Sequence, residues 1–381
     1  MAVCVSDAEA GNRMMKQLYR ALLVVGLLLA SVQVRAEFRY EIIASGLDHP
    51  WAIAFLPSGD LLVTERAGRL RRIKNSQLQA APLIGVPAVY TRGQAGLFDL
   101  ALDPDFTHNR YLYLSYAHGT GRENATRVAR ARLEGNRLVD LEVIFAAQPA
   151  KDTPHHYGGR MAFRVDKTLL LTIGDGFDYR EQAQSLDSLL GKTVRLNRDG
   201  SIPKDNPFVG NARARPEIWS YGHRNPQGIV LDPDSGRVYI HEHGPRGGDE
   251  LNLLQPGLNY GWPAITYGVD YNLATISPYS EYPGMEQPLI YWVPSIAPAG
   301  MDYYRGEMFP EWQGDLLIAA LAEKSVRRIM LENGRITGQQ VLFQELGARI
   351  RDVRVAADGA IYLLTDSAQG QVLRVTQGMA R

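Results

Sequence analysis

Apolar residues along this chain fall into short alternating runs that are paired across turns, and the pair recurs. It reads PWAIAFLPSGDLLVTE from Pro50, GLFDLALDPDFTHNRYLYLSY from Gly96 and GGRMAFRVDKTLLLTIGD from Gly158. It returns as PQGIVLDPDSGRVYIHEHG from Pro226, PAGMDYYRGEMFPEWQGDLLIAAL from Pro298 and IRDVRVAADGAIYLLTD from Ile350, which makes six copies. Within a copy the spacing predicts strands. Trp51, Ile53 and Phe55 alternate, Pro57-Ser58-Gly59-Asp60 turns the chain, and Leu61-Leu62-Val63 runs back. A further run often follows, as in GRLRRI from Gly68 and QVLRV from Gln371. Helical periodicity is nearly absent, with Gln182–Leu190 the best short candidate. Copies begin roughly 45–75 residues apart, the spacing of propeller blades with about four strands each. The expected fold is therefore all-β, a six-bladed β-propeller of four-stranded antiparallel blades, formed by residues 37–381 as one domain. A β-sandwich would not share this phased turn signal. The longer spacings predict inserted loops at 200–216 and 262–296.

The residues just ahead of the first run are polar and chemically able in nearly every copy: His49, Gln94, His156, Arg224 with Asn225, and Arg351. In a propeller the first strand of each blade lines the central channel. Residues at that phase gather at one mouth, where ligands bind.

Composition narrows the function classes. The 41 basic and 41 acidic residues balance, which argues against a nucleic-acid binder. Residues 14–36, MMKQLYRALLVVGLLLASVQVRA, have the positive start, short apolar run and final alanine of a cleaved export signal. An N-terminal anchor is the competing reading, although the apolar run is short for a membrane span. Residues 1–13 precede a normal signal start, so Met14 and Met15 compete with Met1 as initiator. The only cysteine, Cys4, lies ahead of the signal. A mature chain without thiols suits export, here to the periplasm.

Several constellations carry chemistry. His156, in HHYGGR, opens the third copy, and Asp175 ends the second run of the same blade. A carboxylate at one imidazole nitrogen fixes the tautomer and leaves the other nitrogen as a general base; a purely structural histidine remains the plain alternative. Arg224 offers a planar fork for a carboxylate or phosphate, or a structural pair with an aspartate of a neighbouring blade. Arg349 and Arg351 flank Ile350 and so share one side of a strand, which suits an anionic ligand. His241–Pro263 mixes Gly and Pro with Asp249, Glu250 and Tyr260, and such loop oxygens suit Ca²⁺. His241 and His243 have no third transition-metal ligand at suitable spacing. Gly191-Lys192-Thr193 lacks the earlier P-loop glycine, because Leu186 stands there. Asn124-Ala125-Thr126 matches a glycosylation acceptor, which means nothing for a bacterially exported chain.

The motifs GQAGLFDLALDPDF (93–106), HHYGGR (155–160), TIGD (172–175), GHRNPQG (222–228), HGPRGGDELN (243–252), NYGWP (259–263) and RIRDV (349–353) occur in order along most of the chain. Together they resemble the soluble PQQ-dependent glucose/sorbosone dehydrogenase family, and within it the bacterial periplasmic aldose sugar dehydrogenases. The resemblance implies a six-bladed propeller with pyrroloquinoline quinone (PQQ), a tricarboxylate ortho-quinone, lying across the channel mouth. It implies that His156 is the base for the sugar's anomeric hydroxyl, that Asp175 orients it, and that Arg224 stabilises developing charge. Gln94, Arg224, Asn225, Tyr271, Arg349 and Arg351 would bind the cofactor, and the carbonyls of Gly244 and Pro245 a Ca²⁺ acting as Lewis acid. Glu250 and Tyr260, with Asp270, match a second, structural Ca²⁺ site.

This chain departs from the family pattern in places. The family's cofactor-binding lysine in the fifth blade falls near Ala322, with Lys324 two residues on, so either backbone groups of 321–324 or Lys324 take its role. After TIGD the chain reads GFDYR, which offers Arg180 as a replacement contact. Around YWVPSIAP the family's substrate aromatics are shifted and only Trp292 is nearby, and loops shorter than the family's point to an open pocket for aldoses in general. The expected activity is PQQ-dependent oxidation of aldoses to lactones, with electrons passing to a quinone or other acceptor. A Ca²⁺-dependent lactonase or esterase propeller is the alternative, and a non-catalytic binding propeller a third.

Overall fold

Each apolar run becomes a strand because its alternate residues face a neighbouring blade. The computed structural model describes residues 38–378. The segment 14–36, read as an export signal, and Cys4 lie outside the described residues. Within the described residues no helix is long and apolar enough to cross a membrane.

The first strand is β1 (Phe38–Leu47). Blade 1 follows as β2 (Pro50–Phe55), β3 (Leu61–Glu65), β4 (Arg69–Lys74) and β5 (Gln77–Leu78). Blade 2 is β6 (Leu97–Leu102), β7 (Tyr111–Gly119), β8 (Asn124–Glu134) and β9 (Arg137–Ala146). Blade 3 is β10 (Met161–Phe163), β11 (Leu169–Ile173), β12 (Lys192–Leu196) and β13 (Ile218–Tyr221). Blade 4 is β14 (Pro226–Leu231), β15 (Val238–Glu242), β16 (Asp249–Leu254) and β17 (Ile290–Trp292). Blade 5 is β18 (Pro298–Tyr303), β19 (Leu316–Ala320), β20 (Ser325–Glu332) and β21 (Arg335–Leu342). Blade 6 is β22 (Ile350–Val355), β23 (Ile361–Thr365) and β24 (Gly370–Gln377), and β1 completes it as the outermost strand. The inner strands β2, β6, β10, β14, β18 and β22 touch one another in that order, and β22 returns to β2. The ring is closed, and the fold is the six-bladed propeller of four-stranded antiparallel blades that the repeat predicts.

Apolar burial lies between blades rather than on the axis. Leu62, Leu70, Leu97 and Leu114 join blades 1 and 2; Tyr113, Val128, Leu169 and Leu171 join blades 2 and 3. Leu47, Val63, Leu364 and Val372 seal blade 6 against blade 1. A fully buried residue of this kind contributes about 1.5–3 kcal/mol.

The axis is polar instead. The fully buried Arg160 guanidinium lies 3.5 Å from Asp99 Oδ1 and 3.2 Å from Asp352 Oδ1. Arg354 Nε reaches Asp352 Oδ2 at 3.2 Å. The same carboxylates accept from Met161 N (2.8 Å) and Ile53 N (3.1 Å). This charged hub therefore ties together the inner strands of blades 1, 2, 3 and 6.

Five of the six inner strands slip register after their first residues, between Pro50/Ala52, Leu97/Leu100, Pro226/Gly228, Pro298/Met301 and Ile350/Asp352. A bulge re-aims the side chains beside it. All five lie at the strand end that carries the phased polar residues.

The helix expected at Gln182–Leu190 is a correction. The chain forms only a 3-10 turn, Arg180–Gln184. The buried Lys192 amine takes up the carbonyls of Gln182 (2.8 Å), Ala183 (3.0 Å) and Leu190 (2.7 Å), and Gly222 N also donates to Ala183 O (2.9 Å), so the turn stops after Ser185 N meets Gln182 O (3.1 Å). The segment 200–216 carries no strand, as expected of an inserted loop, but the loop expected at 262–296 ends early, because Ile290–Trp292 pairs with β16 as the outer strand β17 of blade 4.

Candidate active site

Two phases of the repeat meet at one mouth. Residues ahead of an inner strand face residues that follow the second strand of the same blade, because the strands pair antiparallel with Pro50 opposite Glu65, Pro226 opposite Glu242 and Ile350 opposite Thr365. The second position is acidic in four blades, and each acid holds its own blade's entry segment. Glu65 accepts from Asp48 N at 2.8 Å. Asp175 Oδ1 pairs with His156 Nδ1 at 2.7 Å. Glu242 holds His223 Nδ1 at 2.9 Å and also the amide of Arg224. Asp366 takes Arg351 Nη2 at 2.8 Å and Arg349 Nη2 at 3.4 Å.

The His156 pair is the most tightly built of these. Asp175 is fully buried and also accepts Phe177 N (2.8 Å) and Trp262 Nε1 (2.7 Å). These donors fix the carboxylate, which fixes a proton on His156 Nδ1 and leaves Nε2 as the acceptor. Gln94 Oε1 takes His156 N at 2.8 Å, so Gln94 also positions the histidine backbone. That backbone stands at φ +51°, in the left-handed region. It packs so closely on Gly174 that a Cβ there would lie 2.4 Å from the His156 carbonyl oxygen. Burial lowers the His156 pKa to about 4; Asp175 opposes the shift, while Arg224 and His243 add to it. The imidazole is thus neutral at neutral pH, the form a base requires. Its ¹⁵N signals in the ligand-free protein should titrate near pH 4, and a midpoint near 6.5 would contradict this burial. The folded histidine binds its proton less readily than the unfolded one. Its contribution to stability is therefore full above pH 6.5 and is lost as the pH falls towards 4.

Arg224 lies beside this pair. Asp175 N donates to Arg224 O at 2.7 Å. The guanidinium donates to Gly244 O (2.6 Å) and His243 O (3.2 Å), and lies 3.3 Å from the Tyr271 hydroxyl. Its Nε is buried without a hydrogen-bond partner. Asn225 Oδ1 accepts from Gly158 N at 3.3 Å and Gln227 Nε2 at 3.2 Å. Arg224, Phe177, Trp262, Tyr271, Asp270 and Pro245 surround an open hollow of about 260 Å³. The Phe177 ring meets His156 edge-on at 5.0 Å and stacks with Tyr271 at 6.3 Å.

Arg349 and Arg351 do share one side, but Asp366 already neutralises part of their charge. Arg351 is lowered by burial despite Asp366, with Arg349 and Arg66 adding to the shift. Burial works to raise Asp366, but the Arg351 charge and hydrogen bond hold it below the ordinary carboxylate range. Arg349 Nη1 also approaches Leu321 O at 3.4 Å, which brings the 321–324 turn to this group. Ala322 and Lys324 are exposed there.

Glu250 and Tyr260 border a separate small hollow of about 10 Å³ behind Arg224 and Gly244. Burial, then the Glu242 charge, pushes Glu250 up to about 8. The Tyr260 hydroxyl is engaged with Leu253 O (2.7 Å) and Gln255 N (2.8 Å), so this residue has only its carbonyl to offer a cation. Among the described residues no three His, Cys, Asp or Glu side chains gather as a metal site.

Sequence reasoning missed Trp262, Glu242, Asp366, Arg66 and Lys151. The first belongs to NYGWP, and the next three stand at or just after the end of a second run, a position as regular as the entry phase. Lys151 lies beneath Gly176 with its amine 2.6 Å from Thr153 O, and burial lowers it to about 7. No periodicity marks it.

The family model described as Glucose / Sorbosone dehydrogenase matches residues 47–374. The chain belongs to this family. Aldose sugar dehydrogenase YliI of Escherichia coli is 42% identical over 347 residues, covering 90% of this chain and 93% of that one. A solved glucose dehydrogenase superimposes with a TM-score of 0.87 at 45% identity, covering 90% of this chain and all of the other. The PQQ-bound aldose sugar dehydrogenase of Streptomyces coelicolor gives a TM-score of 0.73 at 28% identity, covering 89% of this chain and 99% of that one. These members of the glucose/sorbosone dehydrogenase family are named as sugar oxidoreductases. The mouth described above belongs to a propeller of the same kind.

Proposed function

We propose that this protein oxidises aldoses at the anomeric carbon to lactones, with PQQ as hydride acceptor. The observation that carries the proposal is His156, held neutral with Nε2 as its accepting nitrogen, beside Arg224 at the channel mouth. The donor set fits the cofactor. Arg224, Arg349, Arg351 and Arg66 form a cationic mouth for a tricarboxylate, and the buried Nε atoms of Arg224 and Arg351 lack hydrogen-bond partners. Gln94, Asn225, Tyr271 and the 321–324 turn with Ala322 and Lys324 supply further polar contacts. When bound, PQQ supplies the electrophilic quinone carbon, and Ca²⁺ on the carbonyls of Gly244 and Pro245 would draw charge from its oxygens.

His156 Nε2 takes the proton of the anomeric hydroxyl as the C–H hydride departs. Asp175 stabilises the imidazolium that forms, and Trp262 and Phe177 N keep that carboxylate in place. The Arg224 guanidinium lies where negative charge develops and stabilises it. Glu242 and Glu250 both line the hollow bordered by Glu250 and Tyr260, and these two carboxyl groups side by side support a second, structural cation there. The 14–36 pattern supports export to the periplasm, and the electron acceptor is a quinone or similar molecule. A calcium-dependent lactonase would need side-chain carboxylate and amide ligands around its ion, and it leaves the paired arginines without a role.

The test adds PQQ and Ca²⁺ to the apo-protein, then glucose and an artificial dye. Bleaching of the quinone absorbance on sugar addition, with dye reduction, is expected. Lactone hydrolysis without PQQ, or no dye reduction across a panel of aldoses, would overturn the reading.

A further inference from the structure

The stretch KDTPHHY leads from Lys151 to His156 and Tyr157. Lysine is rarely enclosed in a protein unless a carboxylate pairs with it. Lys151 is nevertheless only 3% exposed. Burial works against its charge, while Asp175 and then Asp152 oppose that shift. Among the described residues its amine bonds only to neutral oxygens: Thr153 O (2.6 Å), Asn124 Oδ1 (3.3 Å) and Thr153 Oγ1 (3.5 Å). The amine also lies 3.5 Å from the centre of the Tyr157 ring. A leucine or methionine would fill the same space without desolvating a cation. Packing alone therefore does not account for this lysine.

What the side chain joins does account for it. The Lys151 backbone pairs with Asn124 at the start of β8, donating N to O at 2.9 Å and accepting at 2.8 Å. Asn124 Oδ1 takes the Tyr157 hydroxyl at 2.5 Å, and Thr126 Oγ1 donates to Tyr157 O at 2.8 Å. Thr153, whose carbonyl the amine holds, donates its own Oγ1 to Gly176 O at 2.5 Å. The lysine stem lies under Gly176, where a Cβ would stand 2.8 Å from Lys151 Cδ. Tyr157 follows His156 and Gly176 follows Asp175. The loops that carry the two halves of the pair thus both close on Lys151. His156 needs such support, because a non-glycine residue at φ +51° persists only where its surroundings over-determine it.

We propose that Lys151 is a positioning residue for the His156–Asp175 pair, holding the 153–157 and 174–177 segments together through Thr153, Tyr157 and Gly176. The proposal rests on the assignment of His156 as the base. Lys151 does not line the hollow at the mouth and acts only through its neighbours.

The test is Lys151→Met, which keeps the stem and removes the amine. The first readout needs no turnover: solvent exchange of the His156 Nδ1 proton, which the bond to Asp175 protects, followed by ¹⁵N-edited NMR on the ligand-free full chain. Exchange should quicken by roughly tenfold or more as the loops loosen. With PQQ and Ca²⁺ present, kcat for glucose should fall about 10–100-fold, the order set by a small misplacement of a catalytic group. Glucose KM and the PQQ titration should stay at wild-type values, and the latter also reports an intact fold. Thr153→Val removes only the bridge to Gly176. It should move both readouts the same way by less, and it carries the test should Lys151→Met not fold. Unchanged exchange with unchanged kcat in both variants overturns the proposal and leaves the dehydrogenase reading standing. Quicker exchange in the variants of a protein that oxidises no aldose supports the positioning role and removes only the base assignment. Loss of PQQ binding in step with kcat would make Lys151 purely structural and also overturns the proposal.

Discussion

His156→Ala should lower kcat for an aldose by about 10²–10⁴-fold, the range for loss of a positioned general base. PQQ uptake, followed by fluorescence titration, should change little, because the cationic mouth is untouched. Asp175→Asn should fall between wild type and His156→Ala. The amide preserves the shape but presents an NH₂ or a neutral oxygen to His156 Nδ1, Phe177 N and Trp262 Nε1, which all need an acceptor. The imidazolium formed in the transition state also loses its counter-charge. Single-turnover bleaching of bound PQQ separates this chemistry from later electron transfer. A His156→Ala protein that bleaches PQQ at near wild-type rate would remove the base assignment and, with it, the proposed mechanism.

The second large effect concerns the hub. Arg160→Met should destabilise the protein by about 3–5 kcal/mol, because Asp99 and Asp352 keep their buried charges without the cation between them. The loss also strips donors from Gln227 O (2.9 Å) and Arg351 O (3.2 Å). The quadruple variant Asp99→Asn, Arg160→Met, Asp352→Asn, Arg354→Met should recover much of that stability, since Arg354, which pairs with both aspartates, is removed with them and no partner of the cluster is orphaned. Urea unfolding of the wild type, the single and the quadruple variant at neutral pH reads the comparison. Equal losses in the single and quadruple variants would mean that packing, rather than charge, sets the role of Arg160.

The propeller was legible because its signal is a repeated alternation with turns at a constant phase. Entry residues such as His156, Arg224 and Arg351 were legible for the same reason. The acids opposite them were read only in blade 3, although LLVTE, VYIHE and IYLLTD end with the same sign. Recognising Glu65, Glu242 and Asp366 requires antiparallel pairing to be applied in every blade rather than one. Trp262 is a different case. It comes from a long loop after β16, where no period constrains which side chain turns inward. The hub was illegible for another reason: Asp99 and Asp352 interrupt the hydrophobic pattern of their strands, Arg160 stands just ahead of β10, and their pairing spans three blades. Gln182–Leu190 looked helical because nothing local shows that Lys192 will claim its carbonyls.

The seam in blade 6 has a consequence for how the molecule comes into being. Of the propeller's strands β1 leaves the ribosome first and β24 last, yet they lie edge to edge in one sheet. Until β24 is free, blade 6 has an unfilled margin and Leu47 has no Val372 to pack against. Five blades can assemble while the chain is still growing, but the circle latches only once β24 is free. A nascent chain stalled before β24 therefore holds an open arc with raw strand edges at both ends, the form most exposed to pairing with another copy of itself.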